Sequence, residues 1–316
     1  MSSRAAGLLL GLAFDRALGD PTRWHPVAGF GRVAGALEQV TYGDARGHGV
    51  RHTALLVGGT VALGVAAERA TRDRPVLHTL VTAAATWTVL GGASLGREAM
   101  AVHDLLVAGD LPGARARLTH LVGRDTSVLD TSGVARAVVE SVAENTSDAV
   151  VAPLVLGAVA GVPGLLGYRA ANTLDAMVGH RTPRLERFGW ASARLDDALN
   201  LPGARLAGAL TVLLGDDRRG AVRAWRRDAA AHPSPNAGVV EAAFAGALGL
   251  RLGGPTTYAS GVEQRPALGD GWDPSPADIV RATRLADRVQ LGAGLAAAAL
   301  SAALALRPRR PRGRRR

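Results

Sequence analysis

The sequence has 316 residues, 47% of them apolar but only 4% aromatic, with no cysteine and no lysine. These absences exclude disulfides, thiolate nucleophiles, cysteine zinc sites, Schiff-base chemistry and a P-loop, whose lysine contacts nucleotide phosphates. Of the formal charge of +10, seven units are Arg307, Arg309, Arg310, Arg312, Arg314, Arg315 and Arg316, so the body carries only about +3, which argues against a nucleic-acid partner.

Apolar residues are bunched into blocks, which predicts an all-α, polytopic integral membrane protein with amphipathic and interfacial helices. Residues 1–306 read as one membrane-embedded helical domain. Residues 307–316 read as a basic, disordered tail on the cytoplasmic side of the cell membrane, drawn to anionic lipid. Gly7–Leu18 is a short apolar stretch, either a tilted membrane helix or an interfacial one. GDPTRWHPVAGFGR follows as a structured turn in which Trp24 and His25 suit a membrane–water interface, His25 reading as structural. Thr53–Ala67 is marginal for a span, whereas Val76–Leu95 has the ~20 residues that a ~30 Å hydrocarbon core requires. With the charged turn at 71–75 between them, the two runs read as a membrane hairpin. Arg97–Val122 reads as two short amphipathic helices broken at GDLPG.

The chemistry-bearing residues concentrate in 121–205. GRDTS (123–127) is a loop whose Arg124 and Asp125 can serve a phosphate or a plain turn equally well. Asp130 or Thr131 then caps a helix on which Glu140, Glu144 and Asp148 recur every fourth residue. At 100° per residue the three fall within ~80° of one another, a stack of like charges that needs a cation, an arginine or water. A solvated face would show the same spacing; Asn145 beside it and the apolar run from Ala149 favour a site at the membrane edge. That run, Ala149–Tyr168, is interrupted by Pro153 and AGVPG, leaving arms of at most ~11 residues that are too short to cross alone. A kinked span and a re-entrant hairpin both fit; the hairpin is favoured because it returns the flanking polar groups to one side. Beyond it, Arg169, Asn172 and Asp175 share a helical face, and in ARLDDALN so do Arg194, Asp197 and Asn200, with Asp196 four residues before Asn200. Each pair alone could be a helix-stabilising contact. Together the three faces suit Mg²⁺ with phosphate oxygens, since Mg²⁺ takes a few carboxylates plus water and phosphate while arginine forks take the remaining oxygens. Leu201–Gly215 is another short apolar run, 218–228 a basic surface helix, 232–238 and 249–255 turn-rich, and Val289–Leu306 a span of ~18 residues.

The segments GDPTRWHPV, LVGRDTS, VVESVAENTSDAVVAPL, YRAANTLDAMVGH, FGWASARLDDALNLPGAR and HPSPNAGVVEAAFAGALGLRLGG, followed by the YASG region, resemble the CobD/CbiB family of cobalamin biosynthesis, the adenosylcobinamide-phosphate synthases. The likeness runs from Gly19 to about Gly261. The chain departs from the family pattern at Ala176 and His180, where serine and tyrosine are usual, and reads AENTSDA in place of AENTVDG. The resemblance implies a multi-pass membrane ligase that joins adenosylcobyric acid to (R)-1-aminopropan-2-ol or its O-phosphate, with ATP as co-substrate and Mg²⁺. It also implies corrinoid and aminopropanol partners, a lipid bilayer and a setting among other corrin-pathway membrane enzymes. On that chemistry, Glu140, Glu144, Asp148 and Asp175 are the expected catalytic acids, and Glu144, Asp148, Asp196 and Asp197 the expected metal ligands. Arg124, Asp125, Asn145, Arg169, Asn172, Arg194 and Asn200 are the expected substrate and phosphate contacts. From the residues alone, the rival is a Mg²⁺-dependent membrane prenyl- or alcohol-phosphotransferase, which would carry two matched aspartate-rich motifs where this stretch has one DD pair.

The hairpin reading places Ser127 and Thr182 on the same face of the membrane. Accessibility tags at the two positions should be modified from one side only; labelling from opposite sides would eliminate the hairpin.

Overall fold

A helix satisfies its own backbone hydrogen bonds, which is what an apolar chain in a membrane requires. The computed structural model describes residues 2–20, 25–180, 182–258 and 261–306, and thirteen α-helices dominate them. The basic tail (307–316), Pro21–Trp24 and part of the YASG region lie outside the described residues.

Helix α1 (Ser3–Leu18) is capped by Ser2, whose hydroxyl accepts from Ala5 N–H, and α2 (Pro26–Thr41) by His25, whose Nδ1 accepts from Val27 N–H. α1 packs against α4 and α13. Helix α3 (Arg46–Thr71) is 26 residues long, so the marginal run at 53–67 is the middle of a helix that polar residues extend at both ends. The apolar run at 76–95 is not one straight helix. It is divided at Leu90–Gly91 into α4 (Pro75–Val89) and α5 (Gly92–Val107), within a helical stretch of 33 residues. The break lies where side chains converge, since a Cβ on Gly92 would meet Val150, Gln290 and Asp15. Helix α6 (Leu111–Leu118) follows the predicted break, capped by Asp110.

Helix α7 (Thr131–Thr146), capped by Asp130, runs through a π turn (Ser147–Val151) into α8 (Ala152–Ala160). Pro153 therefore does not break the segment. It has no N–H to donate to residue 149, and its ring would clash there in a regular helix; the widened turn accommodates both. The chain folds back at Gly161 (φ 72°) into α9 (Val162–Val178). The expected fold-back is present, but its first arm is the end of a continuous helix of 30 residues, not an isolated short one. Helix α10 (Trp190–Leu214) likewise carries Pro202 inside it and joins the DDALN motif to the apolar run after it.

The remaining described elements are α11 (Arg218–Asp228), α12 (Ala237–Leu248), strands β1 (Leu252–Tyr258) and β2 (Gly261–Leu268), and α13 (Pro276–Leu306). The antiparallel β1–β2 hairpin is a feature the sequence did not suggest, because glycines and prolines there read as turns. The α7–α8 rod is the axis of the molecule, contacted by α1, α4, α5, α9, α10, α12 and α13. Four helical stretches, Arg46–Thr71, Pro75–Val107, Thr131–Ala160 and Pro276–Leu306, are long and apolar enough to cross a membrane. Leu55, Leu63, Val76, Leu80 and Leu295 on the outer three point outward and are half-exposed or more, as a lipid-facing belt requires.

Helices α1 and α4 meet through Gly7 and Gly11, four residues apart, against Thr82 and Thr86. Small residues at this spacing let membrane helices approach closely. A valine at Gly11 would collide with Thr86, so Gly11→Val should lower thermal stability in detergent by about 1–3 kcal/mol. Gly58→Val, on an open face of α3, should leave it nearly unchanged. Equal effects of the two substitutions would rule out this packing.

Candidate active site

The α7–α8 rod brings two of the spaced acids, Glu144 and Asp148, to a cavity of about 300 Å³. Asp175 from α9, Asp196, Asp197 and Asn200 from α10, His232, Ser234 and Asn236 from the turn before α12, and Arg265 from β2 complete its lining. The three polar faces expected from the sequence thus converge, and the fold-back at Gly161 is what lets the α9 face meet the α7 face.

Hydrogen bonds set the acids in place. Asn200, almost fully buried, donates through Nδ2 to Asp148 Oδ1 while its own Oδ1 accepts from Ser147 Oγ at 3.0 Å. Asn172 hydrogen-bonds Asp196 and accepts from Arg169 Nη1 at 3.3 Å. Asn236 donates to the Asp197 carbonyl at 2.8 Å and accepts from Arg205 Nη1 at 2.8 Å. His232, in the lining, meets Glu241, which is not; both are buried, with Nε2 3.8 Å from Oε1. Burial, with Glu140 and Glu144 nearby, pushes the Glu241 carboxyl well above the usual range; Arg265 and Arg124 act the other way.

Several anticipated site residues do something else. Glu140 forms a buried ion pair with Arg124 Nη2 (2.6 Å) and accepts from the Gly253 N–H (2.8 Å), so both its carboxylate oxygens are committed to joining the 123–127 loop, α7 and β1. Neither lines the cavity. Asp125 accepts from the N–H and hydroxyl of Ser127, making the local turn that its sequence also allowed. Asn145 donates back to Ser141 O in its own helix. Arg194 has an exposed side chain 4.0 Å from Asp197 and does not line the cavity, since at 100° per residue it lies about 160° from Asp196 and about 120° from Asn200 around α10. Arg169 lines a different, apolar cavity.

Five polar residues were not anticipated: His232, Ser234, Asn236, Glu241 and Arg265. HPSPNAG is visible in the sequence as a turn, but nothing local says that the turn folds over the acids. Arg265 depends on the β-hairpin, and Glu241 on a helix buried on every face.

The electrostatics follow from crowding. Burial and then Asp197 raise Asp175, with His180 opposing; burial and then Asp175 raise Asp196 to about 7, against the hydrogen bond from Asn172. Asp196 Oδ1 is buried with no hydrogen-bond partner among the described residues. No three carboxylate or histidine groups among the described residues are arranged as a metal cage. Mg²⁺ does not require one: it is held by one or two carboxylates and completes its shell with water and substrate phosphate. The orphaned Asp196 oxygen beside Asp197, Glu144 and Asp148 fits that mode of binding, and an ammonium group would also satisfy it.

A family model described as CobD/Cbib protein matches residues 8–286. A protein named cobalamin biosynthesis protein CobD from Mycobacterium tuberculosis is 54% identical over 303 residues, covering 94% of this chain and 96% of that one. Proteins of the same name from Rhodobacter capsulatus and Geobacter metallireducens are each 44% identical, covering 91% and 90% of this chain and 94% and 92% of theirs. No solved structure matches.

Because Asp196 is held above its unfolded value of 3.8, it favours the folded state at low pH and loses that contribution as pH rises toward about 7. Between pH 5 and 8, Asp196→Asn should remove on the order of 1–2 kcal/mol of the loss seen in the parent protein. Superimposable pH–stability curves for the two would contradict the placement of this carboxylate.

Proposed function

The chain belongs to the CobD/Cbib family, and from that membership we propose that it acts in cobalamin biosynthesis as a membrane-embedded, amide-forming ligase. In this reading it joins a propionate carboxylate of adenosylcobyric acid to (R)-1-aminopropan-2-ol or its O-phosphate, with ATP as co-substrate, in the cell membrane with its basic tail on the cytoplasmic side. The observation that supports it most is the acid-lined cavity at the meeting point of α7, α9 and α10.

The chemistry sets three tasks. A carboxylate is a poor acyl donor, so its oxygen must first take the terminal phosphoryl group of ATP, releasing ADP. The amine nitrogen then attacks the acyl carbon, phosphate leaves, and the nitrogen gives up a proton to a base. Mg²⁺ bound at Asp196 and Asp197, with Glu144 or Asp148, would neutralise phosphate oxygens. Asp148, fixed by Asn200, and Asp175, opposite it on α9, are the groups placed to hold the ammonium and accept its proton. Arg265 is the cavity's one lining arginine among the described residues and suits the anionic partner. A base of raised pKa near neutrality is effective because it is both partly free and able to take the proton.

Full-length protein purified in detergent and incubated with adenosylcobyric acid, either amine, ATP and Mg²⁺ should yield a product with the mass of the cobinamide or its phosphate. Glu144→Ala and Asp175→Ala should each lower its rate of formation by about 100-fold or more. Absence of product from the parent protein would overturn the ligase reading; full activity in both variants would overturn the roles given to these acids.

A further inference from the structure

A cavity of about 460 Å³ lies where the four membrane-length stretches end together. Arg69 and Arg72 enter it from the end of α3, His78 from the start of α4, Leu304 and Ala305 from the end of α13, and Ser2, Ser3 and Arg4 from the start of α1. Arg4 Nη1 also reaches the carbonyls of Ala158 and Val159 (3.4 and 3.3 Å), which brings in the end of the α7–α8 rod. A cavity at the shared end of spanning helices stands at the depth of the lipid headgroups.

The floor of the cavity is electrostatically closed. Glu68 accepts from Arg4 Nη2 (2.6 Å), His78 Nε2 (3.2 Å) and the Val162 N–H (3.0 Å), so this one carboxylate answers Arg4 and has nothing left for a second arginine. The rim is open. Arg69 and Arg72, three residues apart on one side of α3, are exposed, and neither guanidinium has an ion pair or hydrogen bond among the described residues. Arginines at the end of a helix also answer its dipole, but this leaves their donor forks unfilled. Three arginines against one glutamate call for an anion. The rest of the wall calls for an aliphatic body on that anion, since Leu304 and Ala305 line it and Leu306, next in the chain, is 83% exposed. Seven arginines follow in the last ten residues, so the chain is most basic where it leaves this end of α13.

We propose that this cavity binds the headgroup of an anionic phospholipid. Arg69 and Arg72 take the phosphodiester oxygens, and the Ser2 hydroxyl, which accepts from the Ala5 N–H, donates its own proton to one of them. The acyl chains run along Leu304 and Leu306. The lipid thereby joins the ends of α1, α3 and α13, at a place separate from the carboxylates of the candidate active site.

The test measures binding of phosphatidylglycerol and of phosphatidylcholine to delipidated full-length protein in detergent, by native mass spectrometry, with melting temperature as a second readout. Four proteins are compared: the parent, Arg69→Gln with Arg72→Gln, Ala305→Glu, and Arg218→Gln with Arg219→Gln. The glutamate at 305 sets a carboxylate in the cavity wall from an exposed position and leaves both arginines in place. The last variant removes the same charge from α11, outside this cavity, and the basic tail contributes equally to all four. The parent should prefer phosphatidylglycerol by at least about tenfold, and that lipid alone should raise its melting temperature. Both cavity variants should bring the preference within about threefold and abolish the rise, whereas the α11 variant should keep both. Equal losses in the α11 variant would reduce the effect to general attraction between a basic protein and anionic lipid, and would overturn the proposal. No preference in the parent would do the same. Displacement of the lipid by glycerol 3-phosphate or inorganic phosphate at millimolar concentration would assign the cavity to a soluble anion instead. If the double glutamine variant does not fold, Ala305→Glu decides by the same criteria.

Discussion

Carboxylates that share a low-dielectric space cannot all be ionised unless a cation joins them. This constraint organises the centre of the molecule. Glu144, Asp148, Asp175, Asp196 and Asp197 line one cavity, and most of the polar contacts around it limit their mutual repulsion. Asn200 and Asn172 donate to Asp148 and Asp196; Arg124 removes Glu140 from the group by pairing with it nearby. These contacts leave over an Asp196 carboxyl raised to about 7, with an oxygen unpartnered among the described residues.

The scaffold holds this arrangement by surrounding it. The α7–α8 rod is enclosed by α1, α4, α5, α9, α10, α12 and α13, while α3, α4 and α13 present leucine and valine outward. The acids therefore lie toward the middle of the helical body, away from its lipid-facing belt. The Arg124–Glu140 pair, with the Gly253 N–H on the second oxygen, ties a loop, the rod and the β-hairpin at one point. Breaking such a pair by removing one partner strands the other charge in the interior, at a cost of about 3–5 kcal/mol.

The sequence made much of this legible, and the reasons for what it missed are physical. Helical spacing put Glu144, Asp148, Asp175, Asp196 and Asn200 on faces that do meet, because periodicity is a local property that tertiary packing rarely changes. The same spacing could not separate Glu140 from Glu144: both point to one side of α7, and only the hairpin at Gly253 and the loop at Arg124 decide which of them is neutralised. Hydropathy underestimated α3 because it measures apolar side chains, whereas the helix continues through Arg46–His52 and Glu68–Thr71. Pro153 read as a break and is not, since a widened turn absorbs it. Arg265 was out of reach because its place depends on a strand pairing that its glycine- and proline-rich neighbourhood conceals.

The π turn at Ser147–Val151 also fixes a phase relation along the rod. A single π turn holds one residue more than an α turn, so the part of the rod before it and the part after it are offset by about 100° from a regular helix. Deleting one residue here would remove the widened turn, set the Pro153 ring against the preceding turn, and rotate Glu144 and its neighbours relative to the surfaces that α8 presents to α9 and α10. The length of the segment is therefore fixed: a change of one residue in either direction would displace the acids on α7 from those on α9 and α10.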